Sequence, residues 1–407
     1  MLCLNLFQDD IILVIMGIFS SSKTTGELAA IFDIGSGSVS GSLVLLSKNN
    51  STKPDIIFFE EERISTKRNF DLKNFELEML KSLSNIALSM QKSRLGNPKK
   101  IFCFLASPWC VSQTRIIKME RNLPFTFTNK LASDLIEKED KIFESSQLNK
   151  YKDFGEKMRV IESNNMQVSL NGYQTTNPVN QKAKELEMKI FVTISPEILL
   201  KSIENKIQTV FNSPIKFFSF ILSSFVLTRD IFADNKDFLL VDVAGEITDI
   251  SIIKDDALLE SLSFPFGKNN FIRKIATALN KGEEETMSLL NICRDNVADD
   301  IINNKMQIEI DKAKKEWLDY FQGSLVELSN NFSIPKNIFI TIDNDICSHF
   351  ESAIKNEEFN QYMLTENKFN VIVLKTSIFS SFCNFKEDVK RNQFLMLESI
   401  FVNRINK

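Results

Sequence analysis

Two stretches of the chain share one pattern of apolar and polar positions. Residues 29–46 and 238–253 each contain an apolar strand that ends in an aspartate, a turn of small or polar residues, and a second apolar strand. Aligning Asp33 with Asp242 brings the flanking apolar positions of the two stretches into register. Apolar runs on both sides of a small-residue turn are typical of β-hairpins. The pattern therefore predicts the same strand–Asp–turn–strand hairpin twice, once in each half of the chain.

The remaining segments alternate between strand and helix patterns. Apolar residues at helical spacing predict an amphipathic helix over 71–93, and Asn171-Gly172 predicts a hairpin turn. An apolar run covers 217–232, and 283–330 has a charged helical pattern. Further strands are predicted at 56–60, 101–106, 158–170, 186–194, 257–264, 338–342 and 370–374, and further helices at 128–145, 196–211, 270–279, 346–356 and 389–404. Strands that end in Asp and alternate with helices predict an α/β fold with two related halves.

The order of these segments divides the chain into five parts. A strand–helix–strand–strand series separates the first hairpin from the second and predicts a small α+β module inserted into the α/β pattern. The predicted parts are an N-terminal extension (1–26), a first lobe (27–100), the inserted module (101–194), the returning helices of the first lobe (195–236), and a second lobe (237–407) with a helical subdomain at about 270–330.

The N-terminal extension contains an apolar run over 11–18 that is too short to span a bilayer. It also lacks the basic region of a signal peptide. Two interpretations stay open. In one, Met16 is the true initiator and residues 1–15 are not translated; in the other, the run is a short membrane-surface anchor.

Composition narrows the function classes. The net charge of −4 over 407 residues gives no general attraction to nucleic acid. The six cysteines form no C-x-x-C pair, which favours a reducing, cytoplasmic compartment. The single histidine, His349, argues against a histidine-based metal site or a Ser–His triad. With only 12 glycines in the chain, each one is expected where the backbone needs it.

The hairpin turns carry residue types that suit a phosphate group. In the first turn, Gly35 and Gly37 permit a tight turn, while Ser36 and Ser38 offer hydroxyl and N–H groups, and Asp33 stands at the strand end. In the second, Gly245 permits close backbone approach. The second set also contains Asp242, Thr248 and Asp249. One such turn alone is an ordinary β-turn, but two in register predict a clamp between two lobes.

The pair of hairpins resembles the two phosphate motifs of the actin-like ATPase superfamily, whose two-lobed fold is related to ribonuclease H. The inserted module is similar to that of FtsA-type division proteins and of the related PilM-type pilus proteins. The stretches 160–195 and 263–279 also resemble FtsA-type segments. The resemblance implies that ATP and Mg²⁺ bind between the lobes, with Asp33 and Asp242 holding Mg²⁺ through water. It implies nucleotide contacts from Asp33, Gly35, Ser36, Gly37, Ser38, Asp242, Gly245, Thr248, Asp249 and Asp343.

The sequence departs from this family pattern at two places. The adenosine motif should be a strand followed by two glycines, but Asp343 and Asn344 stand there. In the second turn, Ala244 and Glu246 replace glycines, and Glu246 would repel a triphosphate. The resemblance therefore implies nucleotide binding more than turnover, with at most a weak ATPase activity.

Three functions remain open on the sequence. The first is an FtsA-like scaffold at the inner face of the cell membrane, which uses the module for self-association or for protein partners of the division machinery. The second is a PilM-like adaptor of type IV pilus assembly. The third is a nucleotide-free interaction protein. The last predicted helix either closes the fold or lies on a membrane surface, so membrane contact is expected through a partner or through this helix.

Overall fold

A computed structural model describes residues 26–47, 53–64, 72–148, 157–294, 300–359 and 368–406. The predicted extension 1–26 therefore lies outside the description except for Gly26. The strands are β1 (Glu27–Ile34), β2 (Ser38–Leu46), β3 (Asp55–Arg63), β4 (Lys100–Leu105), β5 (Val111–Thr126), β6 (Met158–Leu170), β7 (Tyr173–Gln174), β8 (Lys182–Pro196), β9 (Ile215–Ser219), β10 (Phe238–Val243), β11 (Thr248–Lys254), β12 (Ala257–Phe264), β13 (Asn337–Ile342), β14 (Asn370–Val373) and β15 (Asn384–Phe385). The helices are α1 (Leu72–Lys92), α2 (Asn129–Leu148), α3 (Glu197–Gln208), α4 (Phe220–Ile231), α5 (Lys268–Leu279), α6 (Glu283–Arg294), α7 (Asp300–Ser329), α8 (Cys347–Asn356), α9 (Thr376–Phe379) and α10 (Gln393–Ile405).

Two sheets repeat one topology. The first runs β15-β3-β2-β1-β4-β9 and the second β12-β11-β10-β13-β14, so each has a hairpin at its centre followed by a parallel strand. Within the hairpins Asp33 lies opposite Ser40, and Asp242 lies opposite Asp249. The separation along the chain is the same in both pairs. The predicted duplicate hairpins and the α/β fold class are confirmed.

The lobes share an apolar layer. Alternate residues of β1 face opposite sides, with Phe32 toward α1 and α3 and Ile31 toward the other lobe. Strand β10 alternates in the same way, with Val241 toward α5 and α7 and Leu240 toward the shared layer. Between the two sheets lie α4 and α10, whose side chains join this layer. Strands buried on both faces explain why both hairpins read as nearly continuous apolar runs.

Helix α10 is part of this core. Nine of its side chains, from Gln393 to Val402, are buried. Phe401 makes edge contacts with Phe104 and Phe218, at ring-centroid distances of 5.9 and 5.4 Å. The interpretation as a closing helix is therefore confirmed. The alternative that this helix lies on a membrane surface is wrong for the folded chain, because its apolar face is already covered by the two sheets.

The C-terminal segment returns to the first sheet. Strand β15 pairs in parallel with β3, with Phe385 opposite Ile56. Arg404 Nη1 of α10 donates to Asp230 Oδ2 of α4 at 2.6 Å. The segment that was assigned to the second lobe as 237–407 thus also supplies a strand and a helix that contact the first sheet. The predicted module 101–194 also took the strand at 101–106 as its first strand, but this strand, β4, lies in the first sheet between β1 and β9. The remaining predicted domain boundaries stay predictions.

The inserted module is a four-stranded antiparallel sheet, β5-β8-β6-β7, that packs against α2. Its first strand, β5, belongs to a stretch for which the sequence predicts no element. Most of the side chains of β5 are exposed or partly exposed, so its apolar signal is weak. Thr114 Oγ1 of β5 donates to the carbonyl of Leu258 at 2.9 Å, which joins the module to the second lobe.

Two other segments differ from their predicted form. The apolar run 217–232 contains the end of β9 and then the whole of α4, and the change occurs at Ser219, whose side chain caps the helix. The charged stretch 283–330 contains both α6 and α7. Within the described part of the chain, no helix combines the length and the apolar character that crossing a bilayer requires.

The buried position of α10 gives a stability prediction. We expect Phe401→Ala to lower the free energy of unfolding by about 3–5 kcal/mol, because it leaves a cavity where three aromatic rings meet. The measurement is urea denaturation followed by circular dichroism. Ile405→Ala, at the partly exposed end of the same helix, is the matched control and should have a smaller effect. Equal, small losses for both variants would mean that the helix does not belong to the core.

Candidate functional site

The first hairpin turn closes on itself. Gly35 N–H donates to the carbonyl of Ser38 at 3.1 Å, which holds Ser36 and Gly37 at the tip. Trp109 Nε1 donates to the carbonyl of Gly35 at 2.7 Å. The connection between β4 and β5, which leads into the inserted module, therefore also supports the turn. These bonds fix the backbone just beyond β1, close to Asp33 near the end of that strand.

The second hairpin turn leads directly into the start of α5. Ala244 N–H donates to the carbonyl of Ile247 at 3.0 Å and closes the turn. Lys268 N–H donates to the carbonyl of Ala244 at 2.9 Å, and Asn269 N–H donates to that of Gly245 at 2.8 Å. The first residues of α5 therefore sit against the second turn, and the turn's carbonyl groups accept from the start of the helix.

The two turns touch each other across the lobes. A Cβ atom added to Gly37 would lie 2.9 Å from Gly245 Cα, and one added to Gly245 would lie 2.7 Å from the carbonyl carbon of Ser36. Glu246 N–H donates to Ser36 Oγ at 2.9 Å, which is a direct bond between the lobes. Only residues without a side chain permit so close an approach of two backbones.

A lysine lies in the cleft beside this contact. Lys268, the first residue of α5, forms an ion pair with Asp343 after β13. The ammonium group also faces Asp33 and Glu61 of the first lobe, and burial lowers its pKa. Asp343 occupies the position of the predicted adenosine motif. The ammonium group of Lys268 therefore lies between the first hairpin turn and this predicted adenosine turn.

The two hairpin aspartates are protonated more readily than usual. Burial raises the pKa of Asp33 to about 7, with a further rise from Glu61 and opposing effects of Ser40 and Lys268. Burial also raises the pKa of Asp242 well above its usual range, although Thr341 Oγ1 donates to Asp242 Oδ1 at 2.6 Å. Near pH 7, Asp33 is therefore divided between its two forms, and Asp242 takes up a proton more readily than an ordinary aspartate does.

A third carboxyl group belongs to the same cluster. Glu398 lies on α10 and is fully buried, and neither of its carboxyl oxygens has a hydrogen-bond partner among the described residues. Burial raises its pKa well above the usual range, and Asp33 and Asp242 raise it further. Three carboxyl groups from β1, β10 and α10 thus influence one another where the two lobes meet.

Two predicted site residues lie away from the cleft. Thr248 is buried, and its hydroxyl donates to the carbonyl of Phe266 at 2.6 Å. Asp249 accepts from Ser107 Oγ at 2.9 Å, and burial raises its pKa to about 6. These contacts anchor β11 to its neighbours. The other predicted site residues line one small cleft: Asp33, Gly35, Ser36, Gly37, Ser38, Asp242, Gly245 and Asp343.

The side chain of Glu246 does not lie in the cleft, where the sequence predicts it. Its side chain is buried against α5, where it accepts from Asn269 Nδ2 and Arg273 Nη1, each at 2.9 Å. The expectation that Glu246 would repel a triphosphate is wrong, because its charge is paired with Arg273 and it does not line the cleft.

The cleft in this arrangement does not fit ATP and Mg²⁺. Its cavity is about 40 Å³, whereas sites for small ligands have volumes of roughly 300–1,000 Å³. The backbone of Gly37 meets that of Gly245 where phosphates would have to enter. Among the residues that the structure describes, no three His, Cys, Asp or Glu side chains are grouped closely enough to hold a metal ion. The assignment of these residues to nucleotide and Mg²⁺ contact stays a prediction.

Sequence reasoning missed two charged residues of the site. Lys268 stands within the stretch 263–279 that carried the family resemblance, directly after a Pro-Phe-Gly break. Glu398 is the one charged residue in the run 394–402, which is otherwise apolar apart from Ser399. A lone charge inside an apolar run is a usable signal for a buried functional or structural group, since charged side chains are seldom buried without a reason.

Comparisons with known proteins show the fold. No family model and no curated protein matches the sequence. The structure is similar to that of a PilM-PilN type IV pilus biogenesis complex, with a TM-score of 0.58, 10% identity, and coverage of 92% of this chain and 96% of that one. It also matches a Bacteroides thetaiotaomicron protein with actin-like ATPase fold (TM-score 0.42, 10% identity, 95% and 99% coverage) and the ethanolamine utilization protein EutJ of Carboxydothermus hydrogenoformans (0.43, 7%, 93% and 89%). The similarity at a TM-score of 0.58, together with the duplicated sheets, shows that the chain has the predicted two-lobed fold of the actin-like ATPases.

The cleft lysine gives a testable prediction. We expect Lys268→Met to lower the free energy of unfolding by about 2 kcal/mol at pH 8, because Asp343 and Asp33 lose their cation while partly buried. The loss should be smaller at pH 5, where Asp33, with a pKa of about 7, is protonated. Denaturant titrations at both pH values measure it.

Lys274→Met is the matched control for that substitution. Lys274 lies on the same helix and pairs with Glu316 at 2.8 Å, with both side chains over 40% exposed. Its loss should cost less than about 0.5 kcal/mol. If the two substitutions lower the free energy of unfolding by similar amounts at both pH values, a special role of Lys268 is contradicted.

Proposed function

Starting from the actin-like fold, we propose that this chain is a scaffold that acts through protein contacts, with its interlobe cleft closed by its own residues. The observation that carries the proposal is the direct contact between Gly37 and Gly245. In a nucleotide clamp these two turns would stand apart to admit phosphates. Here the Ser36–Glu246 bond joins the two lobes, and the Lys268–Asp343 ion pair of the second lobe lines the same cleft.

The inserted module is the proposed contact surface. Several large apolar side chains in it are exposed, the most exposed being Leu123 at 79% and Tyr173 at 80%. Exposed apolar side chains mark protein–protein contact sites where they lie together on one surface. The similarity to a PilM-PilN complex supports a PilM-like adaptor, in which this chain binds a protein of a pilus or other envelope assembly machinery.

An FtsA-like scaffold that binds ATP and Mg²⁺ is the second candidate. The favouring observation is the first turn, which keeps Gly35, Ser36, Gly37 and Ser38 beside Asp33 at the cleft. This function requires the two turns to separate, and therefore the Ser36–Glu246 bond to break. Either candidate would act in the cytoplasm, at the inner face of the membrane when bound to a membrane partner.

Nucleotide titration separates the two candidates. Purified protein is titrated with a fluorescent ATP analogue and Mg²⁺, alongside a variant carrying Asp33→Ala and Asp242→Ala that circular dichroism shows to be folded. We expect no saturable binding at millimolar nucleotide for either protein, because the cleft does not admit phosphates. Saturable binding by the wild type that the variant loses would establish the clamp and contradict the closed-cleft proposal.

The scaffold role has its own test. We expect a variant with Leu123→Ser and Tyr173→Ser to lose the proteins that crosslink to the wild-type chain in its own cells. Ile308→Ser, which changes an exposed apolar residue of α7, is the control and should keep them. Identical crosslinked proteins for all three chains would exclude the module as the contact surface.

A further inference from the structure

A buried carboxyl group joins the inserted module to the first lobe. Glu162 lies on β6 and is 8% exposed. Its Oε1 accepts from Thr193 Oγ1 at 2.8 Å, from the N–H of Ser219 at 3.1 Å, and from the hydroxyl of Ser219. One oxygen atom therefore receives donors from β8 of the module and from the junction of β9 with α4 in the first lobe.

These bonds extend in both directions. On the module side, the hydroxyls of Thr193 and Ser112 are 2.9 Å apart, which brings β5 into the network. On the lobe side, Ser219 Oγ accepts from the N–H of Leu222 at 3.2 Å and caps α4. The network thus ties three strands of the module to the N-terminus of the helix that lies between the lobes.

The second oxygen of Glu162 is left without a partner. Oε2 is buried and makes no hydrogen bond among the described residues. A carboxylate there would keep one charged oxygen unsolvated, which is costly inside a protein. A protonated carboxyl group removes that charge while Oε1 still accepts its three bonds.

The charges around Glu162 are few. Lys216 on β9 lowers its pKa, and Cys110, which faces it from the β4–β5 connection, has a pKa well above its usual range and is neutral. Several other charged side chains of the packed elements are engaged in ion pairs: Arg159 with Glu197 and Glu204, Arg115 with Glu139, Lys118 with Glu187, and Arg229 with Asp230. The same elements also contain Glu120 and Arg121 on β5 and Lys182, Lys184, Glu185 and Lys189 on β8.

We propose that Glu162 is a proton-dependent latch that holds the inserted module on the first lobe. With its proton bound, the carboxyl group joins β6, β8 and α4. On loss of the proton, the buried charge weakens this junction and favours release of the module from the N-terminus of α4. The proposal does not depend on whether the interlobe cleft binds nucleotide.

The direction of the pH dependence follows from burial. Burial raises the pKa of Glu162 from 4.5 to about 7, against the opposing effects of Ser219 and Thr193. The closed junction therefore holds the proton to a higher pH than the open one. The stabilisation is complete below pH 4.5 and is lost as the pH rises through about 7.

The latch is adjacent to the interlobe cleft. Phe220, the residue after Ser219, lines the cleft, and its ring centroid lies 5.6 Å from that of Phe394 of α10. A change at the N-terminus of α4 therefore acts next to the contact between the lobes. Release of the module and loosening of the Phe220–Phe394 contact are expected together.

Hydrogen exchange of the whole chain between pH 4.5 and 8.5 tests the latch, with Glu162→Gln as the isosteric variant that cannot ionise. Comparing the two chains at each pH cancels the intrinsic pH dependence of exchange. In the wild type, we expect the opening of β6, β8 and the first turn of α4 to increase up to pH 7 and then to level off. Relative to the variant, this increase should be about two orders of magnitude. The amides of α7 should show no such difference.

Two further variants keep the test specific. Thr193→Val removes a donor that lowers the pKa of Glu162. The pH at which the opening levels off should therefore be higher in this variant. Asp140→Asn removes another module carboxyl, whose pKa is about 6 and which contacts Ser163, and should leave the increase in opening between pH 6 and 7 in place. The proposal is overturned if Glu162→Gln keeps the wild-type pH dependence, if Asp140→Asn abolishes it, or if α7 opens in parallel.

Discussion

The apolar layer between the two sheets determines how the lobes are held. Helices α4 and α10 fill this space, and Phe104, Phe218 and Phe401 pack together within it. Protein interiors are close-packed, so the lobes cannot separate without repacking both helices. The contact between the hairpin turns at Gly37 and Gly245 depends on this spacing. The layer thus controls the cleft from a distance, through the positions of the strands that end there.

The same layer accounts for the unusual chemistry of the cleft. Burial between the lobes raises the pKa values of Asp33, Asp242 and Glu398, and their proximity adds to the effect. The described cation within this cluster is Lys268, which the second lobe supplies. Carboxyl groups with few donors and little water favour protons over negative charge. The interface between the lobes is therefore arranged around proton occupancy and one ion pair.

The sequence predicts the local features well. The two hairpins, their shared register and the α/β class follow from apolar runs that end in Asp33 and Asp242, because both central strands are buried on both faces. Strand β5 is not predicted from the sequence, because its side chains are largely polar and exposed. The pairing of Glu246 with Arg273, and the closeness of Lys268 to Asp343, come from packing between distant segments. Local pattern contains no information about such distances, so the sequence predicts residues that line the cleft but not its closed state.

The pairing of the first and last described segments has a consequence for how the chain folds. Ser47 N–H donates to Asn403 Oδ1 across 356 positions of sequence, and α10 covers apolar residues of β1 and β2. Contacts of such separation form late, because closing a long loop costs entropy before any contact compensates for it. Until α10 docks, the apolar face of the first sheet is open to solvent. We therefore expect slow folding with an intermediate in which the lobes are formed but not joined, a species prone to self-association and to recognition by chaperones.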